Sequence, residues 1–133
     1  MKIINALVTS FLIGGFAGCA SSEITTVSST RHELRPLVAG GNQYFAVNWQ
    51  PAERKGRPVV TGTLTNQYGA TADRVQLLVE ALDDSGNVIS QKVVWLGDNI
   101  APFDRAYFAI PVEKSPKYRV SVFAYDWRGR TGP

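Results

Sequence analysis

Val75-Gln76-Leu77-Leu78-Val79-Glu80-Ala81-Leu82-Asp83-Asp84-Ser85-Gly86-Asn87-Val88 is the stretch that decides the fold class of this chain. Val75, Leu77, Val79 and Ala81 recur every second residue, the period at which a strand presents one face to a core. The run stops at short polar residues, Asp83 to Asn87, where Gly86 supplies the positive φ of a hairpin turn. The spacing therefore predicts a strand over 73–82, a turn, and a strand over 88–96 with Ile89, Val93 and Trp95 on one face.

The same period holds on both sides of this hairpin. Phe45, Val47 and Trp49 share a face in 44–49, as do Val60, Gly62 and Leu64 in 58–66. Ala106, Phe108 and Ile110 do so in 103–110, and Val120, Val122 and Ala124 in 118–127. Asn66-Gln67-Tyr68-Gly69 marks another connection, and Pro102, Pro111 and Pro116 fall at strand limits, where a missing N–H is tolerated. No stretch outside the N-terminus carries a helical stripe. Regular short strands with turns between them imply an all-β, antiparallel β-sandwich of about six to seven strands over 44–128. Glu33 to Val38 is a candidate for an additional edge strand.

Val60-Thr61-Gly62-Thr63-Leu64-Thr65-Asn66 resembles the V-x-G-x-V-x-N strand of FxLYD-type bacterial envelope domains. Val79 to Val88 is similar to their strand that ends before an Asp-Gly hairpin, with Ala81 and Leu82 where the name-giving aromatics would stand. Ile100-Ala101-Pro102-Phe103, followed by Phe108, resembles their later turn and Phe-bearing strand. The resemblance covers roughly residues 57–126 and implies an immunoglobulin-like sandwich, without an enzymatic activity or a ligand.

The N-terminus has a different character. Met1 and Lys2 precede an apolar run from Ile3 to Phe16 that is interrupted by Asn5, Thr9, Ser10, Gly14 and Gly15. A membrane-spanning helix needs about 20 apolar residues, so this pattern reads as a signal peptide over 1–18. Ala17-Gly18-Cys19 resembles the lipobox of bacterial lipoproteins, with Phe16 in place of the usual Leu. The resemblance implies cleavage between Gly18 and Cys19 and lipidation of Cys19, the only cysteine of the chain. The alternative is an ordinary secretory signal that leaves Cys19 a free thiol. Several acyl chains at about 0.8 kcal/mol per methylene would hold the protein firmly. Ala20 after the cysteine implies sorting to the outer membrane, facing the periplasm. Residues 19–43, polar and without periodicity, read as a flexible tether, and 129–133 as a tail.

The 133 residues leave room for one small domain, and a formal charge of +3 with scattered cations excludes a nucleic-acid surface. The lone His32 lies in the tether, so no Ser-His-Asp or Cys-His set can be assembled. Zinc cannot be closed with one Cys and one His, and Asp83 and Asp84 lack the spaced ligands of a calcium loop. The chain is thus expected to be no enzyme and to hold no cofactor and no metal. The remaining candidate is a contact face of Phe123, Tyr125, Trp127 and Arg119 on the last strand. Arg105 and Tyr107 would extend it if the last two strands pair. Aromatic residues and Arg are what interface centres favour; alternatively the rings close an edge of the sandwich. The expected role is a non-catalytic, lipid-anchored module for contacts with an envelope protein. The alternative is a carbohydrate- or peptidoglycan-binding module.

Overall fold

In the computed structural model, which describes residues 33–129, the strands form where the apolar residues alternate. A single turn of helix, α1 (Gly41–Tyr44), leads into β1 (Phe45–Arg54), β2 (Arg57–Asn66) and β3 (Ala72–Leu82). Then come β4 (Val88–Trp95), β5 (Arg105–Pro111) and β6 (Lys117–Trp127). They pair antiparallel in two three-stranded sheets, ordered β1-β2-β5 and β4-β3-β6. The fold is an antiparallel β-sandwich of six strands. The stretch 33–38 is not a seventh strand, although it is attached to the sandwich as described below.

Turn chemistry sets the registers. Arg54 faces Arg57 across a two-residue loop in which Lys55 and Gly56 both have positive φ (51° and 72°), as a type I′ turn requires. Asp83 closes the β3–β4 turn, its Oδ1 accepting from the N–H of Ser85 (2.9 Å) and of Asn87 (2.8 Å). These bonds hold the exposed Asp83 carboxyl below its ordinary pKa, the backbone bond from Asn87 most strongly.

The core lies between the sheets, where Val60, Leu64 and Leu77 are solvent-free beside Val75, Val79, Phe108 and Val122. Each such side chain stabilises the fold by about 2 kcal/mol through burial. Gly62 belongs to this inner face because a Cβ there would lie 2.2 Å from the Asn48 carbonyl oxygen and 2.7 Å from Cζ of Phe108. Asn66 is wholly buried and joins two loops. Its Nδ2 donates to the carbonyls of Ala70 (2.8 Å), Ile100 (3.1 Å) and Ala101 (3.1 Å), and its Oδ1 accepts from Tyr68 N–H (3.0 Å).

Two strands depart from simple alternation. On β4 the face shared by Val93 and Trp95 is the outer one, since Val93 pairs with Leu78 and Trp95 with Gln76, while Val94 packs on the core. On β6, Val122 pairs with Leu77 but Ala124 with Gln76, leaving Phe123 as the extra residue of a β-bulge. The bulge shifts the phase by one. Val120 and Val122 point inward as expected, but beyond Phe123 the inward set becomes Tyr125 and Trp127 instead of Ala124.

Candidate functional site

The six residues expected to form one contact face are divided by the sandwich. β5 pairs with β2 and β6 with β3, so Arg105 and Tyr107 lie in one sheet and Arg119, Phe123, Tyr125 and Trp127 in the other. The condition under which Arg105 and Tyr107 would extend the face, pairing of the last two strands, is not met, because the chain crosses between sheets from β5 to β6. Cys19, Gly18 and His32 lie outside the described residues, as do residues 130–133.

Tyr125 and Trp127 do not form an outer surface. They close one end of the sandwich in a cluster with Tyr44, Phe45 and Tyr68. Phe45 and Trp127 stack at 5.6 Å with 9° between planes, and Tyr125 meets Phe45 edge-on at 4.9 Å. Tyr68 from the β2–β3 loop approaches Trp127 to 4.7 Å. Burial pushes the Tyr125 phenol pKa up, with Tyr44 adding to the effect. The expectation that these rings close the sandwich is what the geometry shows.

Beside that cluster an open cleft of about 540 Å³ is lined by the edge of Trp127, by Asn99 and by two ion pairs. Arg74 meets Asp126 at 2.5 Å, and Arg128 holds Asp73 through both carboxylate oxygens at 3.0 Å. The charges balance within the cleft.

Arg119 is also committed, and its partner could not be read from the sequence. Glu80 sits near the C-terminal end of β3, the central strand of its sheet, on the face away from the core and only 2 % exposed. Register places it between Gln91 on β4 and Arg119 on β6. Arg119 Nε donates to Glu80 Oε2, Arg119 Nη2 to Oε1 (2.9 Å), and Gln91 Nε2 to Oε1 (2.9 Å). Burial pushes the Glu80 carboxyl pKa up, but the bonds from Arg119 and Gln91 and the Arg119 charge outweigh it and hold the group low. The bond to Glu80 in turn raises the Arg119 pKa.

That row of side chains holds residues 33–40, where the polar, aperiodic sequence predicts a tether running to residue 43. Leu34 N–H donates to Gln91 Oε1 (2.8 Å), and Gln91 Nε2 donates back to the Leu34 carbonyl (2.9 Å). Glu33 lies 3.9 Å from Arg119, and Leu37 N–H donates to the carbonyl of Phe123 (2.8 Å) at the bulge. The segment thus crosses the outer face from β4 to β6, and Gly40 (φ 82°) turns it into α1. Gly41 then packs on Val122, leaving 3.0 Å for a Cβ. The strap begins at the first described residue, and 19–32, the remainder of the expected tether, lies outside the described residues.

Among the described residues, no segment crosses the outer face of the other sheet in this way. Asn48, Thr63 and Tyr107 form one cross-strand row, and Ala46, Thr65 and Arg105 the next. Tyr107 is 76 % exposed. Among the described residues, no three His, Cys, Asp or Glu side chains gather as a metal-ligating group. Compared with family models, curated proteins and solved structures, the chain matches none.

Proposed function

We propose that the protein is a non-catalytic, lipid-anchored β-sandwich that makes protein–protein contacts in the bacterial cell envelope. The observation that carries this reading is Tyr107. A tyrosine 76 % exposed in the middle of a strand, on a face of threonines and amides with Arg105 beside it, has the composition of an interface centre. The lipobox-like Ala17-Gly18-Cys19 supports attachment to a membrane, and the FxLYD-like segments support an immunoglobulin-like envelope domain.

The test is capture from solubilised envelope by the full-length protein and by its Arg105→Ala/Tyr107→Ala variant. These side chains make no core contact, so the variant folds. Loss of specific partners with unchanged melting supports the face; recovery of the same partners removes it.

A second reading, a glycan-binding module, is favoured by one observation, the cleft with Trp127, Asn99, Asp73, Asp126, Arg74 and Arg128. Paired charges and an amide are what hydrogen-bond sugar hydroxyls. Trp127 is engaged by Phe45 and Tyr68, so such a glycan would be held by hydrogen bonds and not by stacking. Asn99→Ala lowering the retention of peptidoglycan fragments would favour this reading, and unchanged retention would remove it.

A further inference from the structure

The outer face of β4-β3-β6 is more developed than a resting place for a linker requires. With the strap in place its floor is nearly solvent-free: Leu78 is 1 % exposed, Glu80 2 % and Phe123 9 %. Its polar groups are aimed outward in order. Gln91 spends its amide oxygen on one backbone N–H and its amide nitrogen on the same residue's carbonyl, so it reads an extended main chain and not a side chain. One step along, Arg119, held in place by Glu80, faces a carboxylate. Further on, the bulge at Phe123 frees a carbonyl from the ladder to accept the next N–H.

The strap meets these positions with its main chain and leaves its own side chains largely in water. Leu34 is 42 % exposed and Leu37 73 %, so its large apolar side chains contribute little burial. The Glu33–Arg119 pair is long, at 3.9 Å, with both side chains 51 % exposed. Trp95, 58 % exposed, stands uncovered on the same sheet face in line with Gln76 and Ala124.

We infer that this face is a recognition slot for an extended peptide of another protein, bearing a carboxylate one residue before a large apolar residue, with the strap as its displaceable placeholder in cis. Recognition runs through main-chain bonds, as in other extended-peptide sites. The strap competes only with the effective concentration its short connection provides. An incoming segment that covers Trp95 buries apolar surface that the strap leaves in water. Displacement also releases residues 33–40, a length of up to about 27 Å when extended. The inference rests on the reading of the domain as a protein-contact module, but uses the sheet opposite Tyr107.

The test uses full-length protein in detergent and a blocked synthetic peptide of the sequence 31–40. Added peptide is expected to accelerate hydrogen exchange at the Leu34 and Leu37 amides of the protein. A peptide with its Glu replaced by Ala binds about threefold more weakly, the value of an exposed ion pair. Leu34→Pro in the protein removes one strap donor without touching the floor, and raises peptide affinity about tenfold. Gln91→Ala abolishes peptide binding while leaving the melting transition cooperative. Strap amides that stay protected at millimolar peptide, or Leu34→Pro protein with unchanged affinity, overturn the proposal. So does a concentration-dependent dimer with exchanged straps, which assigns the slot to a second copy. Failure of the peptide while Tyr107-dependent capture persists removes the slot alone; peptide binding with no envelope partner at either face removes the contact-module reading.

Discussion

Glu80 is the residue whose environment differs most from what its neighbours in sequence announce. In the chain it occupies the polar phase of a strand; in the fold it is 2 % exposed and held by Arg119 and Gln91. Replacing Arg119 by Met leaves that carboxylate with one donor. Breaking a buried pair costs 3–5 kcal/mol, but Arg119 is half exposed and the pair partly screened, so the expected loss is about 2 kcal/mol by urea denaturation. The pH dependence has a definite sign. The folded Glu80 pKa lies below the unfolded one, so its contribution is complete above about pH 4.3 and is lost as pH falls through the folded value. In Arg119→Met, burial opposes the charge with less compensation, and that acid-side loss is expected to disappear; an identical acid slope in both proteins would contradict the assignment. Asn66 is expected to be equally intolerant: Asn66→Asp sets a carboxylate against three carbonyls and lowers stability by about 3 kcal/mol, read from the same denaturation curves.

Among the elements, β2 and β6 carry the constraints that alternation alone does not express. Gly62→Ala on β2 drives a methyl into the β1 backbone and the Phe108 ring, with an expected loss of about 3 kcal/mol and no relief from repacking one side chain. A variant melting within a degree of the parent would refute the close approach. On β6, the bulge at Phe123 turns Tyr125 and Trp127 into the sandwich. Trp127→Ala therefore acts on stability, by about 3 kcal/mol in a thermal melt, before it acts on any partner. Loss of binding in that variant would report the end of the sandwich and not a contact face. The inward set Val75, Leu77 and Val79 on β3, by contrast, was legible, because each is aliphatic and the strand is central; the register shift between Asp73 and Gln76, which lets Ala72 and Val75 both face the core, was not. Val93 and Trp95 could be grouped from the sequence but not assigned to a side, since an edge strand lets large residues face outward.

For the whole molecule, the arrangement of surfaces follows from the crossover between sheets. One outer face, with Tyr107 and Arg105, is open; the other is crossed by residues 33–40; the end between them is filled by five aromatic rings. Lipid attachment belongs to this scale too: Cys19→Ser is expected to abolish incorporation of labelled palmitate, and persistent labelling would refute the lipobox reading. The amino-acid sequence by itself determined the all-β class, the hairpin turn at Asp83–Asn87 and the inner faces of β2, β3 and β5, because period-two burial and turn preferences are local properties. It likewise carries the lipobox-like motif. Only the tertiary structure decided that Arg105 and Tyr107 part from Trp127, that Glu80 and Arg119 meet, and that residues 33–40 form a strap. Each of these depends on which strands become neighbours and in what register. Their sequence separations, 39 residues for Glu80 and Arg119 and 57 for Leu34 and Gln91, put them beyond any local pattern.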